Sequence, residues 1–173
     1  MKNLLREVFG IFLCAAIFSS EASSVGNRIN VATQGVTDVS ATLGKNQISA
    51  KITTHEIDIG KASDTLPKKR LTSCTYSRFP CSPVDSVEIS VNGNSLFVAR
   101  SVYADLADLI DASLRQNGNG NFLLTLRGGD ASESYTIEIM FDKGLVRQRR
   151  LIDNLNKQVL QRTTYFTSQT MDE

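Results

Sequence analysis

The sequence predicts a mainly β protein, an antiparallel sandwich or open barrel with one short helix. Three observations carry that expectation. Apolar and polar residues alternate with period two in short runs, as where Ile48, Ala50 and Ile52 interleave with Ser49, Lys51 and Thr53. Turn signals fall between such runs, foremost Asn92-Gly93 and the stretch Asn117 to Asn121 (NGNGN). Only one stretch, from Ser101 to about Leu109, places apolar residues at helical spacing. Short strands at regular intervals are how a chain builds two stacked sheets or an open barrel.

Taken in order, Asn27 to Thr33 and Gln47 to Ile59 are rich in Ile, Val and Thr and read as strands. In the second, the apolar parity switches from Ile48, Ala50 and Ile52 to Ile57 and Ile59, and a bulge near Thr53-Thr54 accounts for the switch. Residues 87–98 (VEISVNGNSLFV) read as a hairpin. Val87, Ile89 and Val91 face one way, and Leu96 and Val98 meet them across Asn92-Gly93, whose residues accept positive φ. Ser101 is placed to cap a helix carrying Val102, Leu106 and Leu109, followed by a strand in which Ile110, Ala112 and Leu114 alternate with polar residues. A meander follows. Phe122 to Arg127 and Tyr135 to Phe141 are strands joined by the loop Gly128 to Ser134. Asp142-Lys143-Gly144 is a turn, and Leu145 to Ile152 and Val159 to Phe166 close a hairpin around Asn154 to Lys157. Lys61 to Ser73 reads as a loose connection, and Thr167 to Glu173 as a disordered polar tail.

The N-terminus reads as a signal peptide over residues 1–22. Lys2 and Arg6 precede the apolar run Val8 to Phe18, and Ser20-Glu21-Ala22 puts small residues three and one before a cut. The run is too short to span a bilayer, and Leu13 before Cys14 argues against a lipid-anchored cysteine. Cleavage leaves one β-rich domain over residues 23–166 and no transmembrane anchor. The leader removes equal numbers of basic and acidic residues, so the net charge of +1 persists. Such a balance predicts no nucleic-acid binding, which needs many uncompensated cations. Cys14 leaves with the leader. Cys74 and Cys81 remain, and a pair of thiols in an oxidising compartment predicts a disulfide.

No cofactor or metal set is predicted. No glycine-rich phosphate loop opens a helix, no GxSxG elbow occurs, and His55 is the sole histidine. Paired carboxylates at Glu88 and Glu138 require the fold to bring two strands together. Three surfaces stand out as candidate binding elements. The loop CTYSRFPC presents Tyr76 and Arg78 from a covalently closed ring, so part of its ordering cost is already met. In GGDASESY, Asp130, Ser132 and Glu133 offer oxygens to a cation or a sugar, or else satisfy their own backbone. Arg147 and Arg149 make one strand basic, suited to an anionic glycan or acidic partner, or to protecting a sheet edge. Asp105, Asp108 and Asp111 recur every third residue and read as a solvated surface.

Four segments, CTYSRFPC, VNGNSLFV, RSVYADLADL and GGDASESY, carry a resemblance. Over Cys74 to Phe166 the chain resembles a family of uncharacterised exported proteins of proteobacteria. That resemblance implies a periplasmic or secreted β-rich domain and no particular activity. The expectation is therefore an exported, non-enzymatic binding or structural module with an envelope protein or glycan as partner. The alternatives are a hydrolase of envelope polymers using carboxylates such as Asp130 and Glu133, and a carrier with an apolar cavity between its sheet layers.

Overall fold

A computed structural model describes residues 27–61, 73–118 and 120–166. The expectations for the leader (1–22) and tail (167–173), and most of the loose stretch Lys61–Ser73, lie outside those residues.

Among the described residues, ten strands form two antiparallel sheets. The first joins β1 (Ile29–Asn30), β6 (Leu109–Gln116), β7 (Phe122–Gly128), β8 (Tyr135–Phe141), β9 (Val146–Asp153) and β10 (Val159–Thr164), in that order. The second joins β2 (Gly35–Leu43), β3 (Asn46–Thr54), β4 (Val84–Val91) and β5 (Asn94–Leu96). The two sheets share one buried cluster, so the sandwich, and not a closed barrel, is the architecture.

Period-two alternation decides which side chains enter that cluster. In the four-stranded sheet the inward rows include Val39–Ala50–Ile89 and Ala41–Ile48–Val91, fixed by the strand register. In the six-stranded sheet they include Leu114–Leu124–Ile139–Arg149 and Ala112–Leu126–Ile137–Leu151. Most of these apolar side chains are fully buried, and each large one stabilises the fold by roughly 1.5–3 kcal/mol relative to exposure. Phe122 and Phe141 pack as a tilted pair with ring centroids 5.7 Å apart at one end of the core.

The hairpins follow their turn residues. Asn92 (φ 53°) and Gly93 (φ 83°) form the two-residue turn between Val91 and Asn94, and Ile89 opposes Leu96 across it. The β6–β7 turn is closed by the Asn117 N–H donating to Asn121 O and the Asn121 N–H donating to Gly118 O, with Gln116 opposite Phe122. The bulge expected in β3 near Thr53-Thr54 lies instead in β4, where Asp85 is the extra residue between Val84 and Ser86; β3 keeps one parity through Thr54, and the switch to Ile57 and Ile59 falls beyond the strand's end.

Four further expectations are corrected. The strand expected to run to Ile59 ends at Thr54, and Ile57 makes only an isolated bridge to Cys81. The strand over Asn27 to Thr33 contracts to Ile29–Asn30. No α-helix follows Ser101. Arg100–Val102 is one turn of 3-10 helix preceded by Ala99, which makes no side-chain cap bond. Val102, Leu106 and Leu109 are nevertheless buried: the first two lie in the largely irregular chain from Ala99 to Asp108 that packs on the core, and Leu109 opens β6. The fourth is a strand the periodicity reading passed over, β2. Val39, Ala41 and Leu43 alternate there, and Gly44 (φ 62°) supplies the turn into Asn46.

Candidate functional site

Cys74 and Cys81 form the disulfide, with Cα atoms 5.6 Å apart. The bond sits in a small second cluster with Ile59 and Ala107, against which Ile57 and Phe79 pack. Cys81 exchanges two backbone bonds with Ile57, at 2.9 and 3.2 Å.

Asp108 holds both ends of this ring. Its Oδ2 accepts the Thr75 N–H at 2.7 Å and its Oδ1 the Ser82 N–H at 2.8 Å, while its own N–H donates to Ser82 O. Asp108 is 1% exposed and adopts φ 54°, a conformation in which Asp and Asn are enriched over other non-glycine residues. Asp111 is buried as well, beneath the guanidinium groups of Arg127 and Arg28. The hydrogen bond to Asp111 holds the Arg127 guanidinium above its usual pKa, burial acting against it. Asp105 binds Arg149. The triplet expected to face solvent is instead three structural ties. Coil and a β-bulge at Ile110 orient it, where a helix would have turned it outwards.

The loop after β7 meets the disulfide ring from the other side. Glu133 Oε2 accepts the Tyr76 N–H at 2.6 Å, and Ser77 Oγ donates to Asp130 Oδ2 at 3.0 Å. Asp130 also caps the 3-10 turn Ala131–Glu133 through Ala131 N. Both glycines are there for close approach. A Cβ on Gly128 would stand 2.6 Å from the Tyr135 ring, and one on Gly129 (φ 73°) would stand 2.1 Å from Glu133 O. The space that glycine leaves open is thus taken by the protein's own atoms.

Between these two loops and the β9–β10 edge lies a cleft of about 310 Å³. Leu106, Leu151 and Leu160 give it apolar surface, and the carboxylates of Asp105, Glu133 and Asp153 line it with the hydroxyl groups of Ser132 and Tyr135. Tyr135 Oη donates to Ala107 O at 2.5 Å and accepts from Ala107 N at 3.3 Å. Burial pushes its pKa well above the ordinary tyrosine value, against the lowering effect of the Ala107 backbone bond. The phenol is therefore a fixed neutral strut, not a proton donor for chemistry at neutral pH.

Of the residues singled out from sequence, the fold brings Tyr76, Asp130, Ser132 and Glu133 together at one end of the sandwich. Tyr76 is 68% exposed. Arg78 is half-buried in the ring, its N–H bonded to Thr75 O. Arg147 lies at the opposite end of β9, paired with Asp142 through Nε at 2.6 Å. Arg149 is a correction. It is 1% exposed and points into the sandwich, where Nη2 meets Asp105, Nε meets Val102 O and Nη1 meets Gln161. A bulge between Met140 and Phe141 shifts the register of β9, so Arg149 follows the core row of Ile139 and offers nothing to a surface ligand. Asp105, Tyr135, Asp153 and Leu160 belong to the cleft and were not predicted to line a site; Asp105, read as solvated surface within RSVYADLADL, and Tyr135, at the end of GGDASESY, lay inside segments already marked. Glu88 and Glu138 stand on opposite outer faces and form no pair. His55 bonds Asp85 at 2.7 Å and does not line the cleft.

Among the described residues, no group of three His, Cys, Asp or Glu side chains is arranged to hold a metal ion, and no helix is long and apolar enough to cross a membrane. Fold and site together define a disulfide-pinned antiparallel β-sandwich with a polar cleft at one end. No family model matches the chain, and no curated protein and no solved structure matches it either.

Proposed function

We propose that this chain is a non-enzymatic binding domain of an exported protein, and that it receives its ligand in the cleft beside the Cys74–Cys81 ring. The observation that carries this reading is the bonding of the ring itself: Asp108, Asp130 and Glu133 all spend carboxylate oxygens holding it in place. A loop fixed covalently and by three carboxylates presents Tyr76 with little left to order on binding, which is how a recognition loop keeps affinity. The same bonds count against the hydrolase alternative, because Asp130 and Glu133 are occupied as backbone and hydroxyl acceptors. Fully buried Leu, Ile and Phe side chains occupy the layer between the sheets, which counts against an internal carrier cavity. An exported location is supported by the charged, apolar and small-residue order of the first residues, by the disulfide and by the resemblance of Cys74 to Phe166 to exported proteins.

The test is a screen of the oxidised protein against glycan and peptide libraries, with binders mapped by amide chemical shifts. The reading expects binders that perturb Tyr76, Ser132 and Tyr135 and that lose affinity in Tyr76→Ala. It falls if binders map elsewhere, if none is found, or if a library member is turned over in a Glu133-dependent way.

A further inference from the structure

The outer face of the six-stranded sheet carries a second feature, independent of the cleft. Strand register puts Ser113, Thr125, Glu138, Arg150 and Arg162 in one row, with Arg115 and Arg127 in the rows on either side. Arg28 joins at the β1 edge through Asp111. Five guanidinium groups therefore share this face with two carboxylates, Asp111 and Glu138. The chain as a whole is nearly balanced at +1, so the local surplus is not a reflection of composition.

The carboxylates do not neutralise the face. Glu138 is shared between Arg115 (3.7 Å) and Arg150 (3.2 Å), and Asp111 between Arg127 and Arg28. Arg162 makes no ion pair among the described residues, and Arg150 Nε has no acceptor there. Arg150 and Arg162 stand directly opposite one another on β9 and β10, an arrangement that costs stability unless an anion lies over it. From β6 to β10 the arginines span four strand spacings, about 19 Å. That is the length of several sugar residues and far more than a single ion needs. A shallow depression of about 90 Å³ between Arg115 and Arg150 has Glu138, Met140 and Gln148 in its walls. Within these rows no aromatic side chain stands among the arginines, so the face lacks the stacking platforms that single-stranded nucleic acid uses.

We infer that this face is a binding site for a linear polyanionic polysaccharide, lying across the strands from Arg115 and Arg127 to Arg150 and Arg162. Arginine forks pair with carboxylate and sulfate groups along such a chain, and affinity comes from replacing its counterions.

Full-length mature protein is titrated with polygalacturonate and with dextran sulfate at 50 and 300 mM NaCl. Neutral dextran, vesicles containing phosphatidylglycerol and duplex DNA serve as comparison ligands. The inference expects saturable binding of at least one of the two polyanions that weakens at least tenfold between the two salt concentrations. Arg162→Glu, exposed and unpaired, and Arg115→Gln each weaken it several-fold in a protein that stays folded, Arg162→Glu with a melting temperature no lower than wild type because it removes the Arg150–Arg162 repulsion, and neutral dextran does not bind. Tyr76→Ala leaves it unchanged, which separates this face from the cleft. No binding of either polysaccharide at 50 mM salt, affinity insensitive to both arginine substitutions, or tighter binding to the vesicles or DNA overturns it.

Discussion

Arg149 Nη2 lies 2.8 Å from Oδ1 and 2.6 Å from Oδ2 of Asp105, one nitrogen bridging both oxygens of a carboxylate. The cation is buried and the anion half-exposed. Together with the bonds to Val102 O and Gln161, the pair ties the strand near the edge of one sheet to the irregular chain that closes the end of the sandwich.

Asp105→Ala leaves the Arg149 charge without its anion in a low-dielectric setting. Because Asp105 is itself half-exposed, water compensates part of the loss, and the cost falls to about 1–3 kcal/mol, below the full penalty of a wholly buried pair. Arg149→Met added to Asp105→Ala removes the orphaned charge and recovers part of the stability. Urea unfolding of the single and double variants measures both, and a double variant less stable than Asp105→Ala would show that the pair matters through Arg149's other bonds.

Asp108→Ala leaves two buried N–H donors, Thr75 and Ser82, without acceptors. At roughly 1–3 kcal/mol for each unsatisfied group, the variant loses several kcal/mol. Asp108→Asn keeps one acceptor oxygen and loses less. Reduction of the Cys74–Cys81 bond by dithiothreitol should be faster in Asp108→Ala, because the ring then opens without breaking those contacts; an unchanged rate would place the ring's order elsewhere.

Replacing both Cys74 and Cys81 by Ser opens a short ring and costs about 2.5 kcal/mol in the chain-entropy account. The melting temperature reads this directly. Since Tyr76 N and Ser77 Oγ are held by Glu133 and Asp130, their amide signals should shift as well.

Asp142 gives the acid limb of stability. Burial disfavours its charged form, but bonds from Gly144 N, Leu145 N and Arg147 outweigh that and hold the carboxyl below its ordinary value. A carboxyl depressed by folding contributes stability above its unfolded pKa, near 4, and loses it as pH falls through the folded value. Melting curves of wild type and Asp142→Asn should therefore differ at neutral pH and converge as pH falls below about 4. A constant difference across that range refutes the assignment.

Gly129→Ala puts a Cβ against Glu133 O at a positive φ and should destabilise by more than about 1 kcal/mol. The loss should come with detachment of the 130–134 loop from the disulfide ring, visible as faster amide exchange at Tyr76.

What the sequence alone determined was local. Asn92-Gly93, the NGNGN stretch and the alternation of Phe122 to Phe141 each specify a turn or strand through neighbours a few residues away, and these elements formed as expected. The parity switch after Thr53-Thr54 marked the end of a strand and not a bulge within it; the bulge is at Asp85 of the partner strand, which β3's own sequence does not contain. The disulfide was legible from two cysteines, Cys74 and Cys81, seven residues apart. Tertiary structure alone decided the roles of Asp105, Asp108, Asp111 and Arg149. Their spacing suits a solvated surface equally well, and only docking of the disulfide ring, of Arg127 and of Val102 onto the sandwich gives these charges their partners. The cleft and the arginine face have the same origin. Both are assembled from strands far apart in the chain, and which side of a sheet a side chain meets depends on register and bulges that no single segment contains.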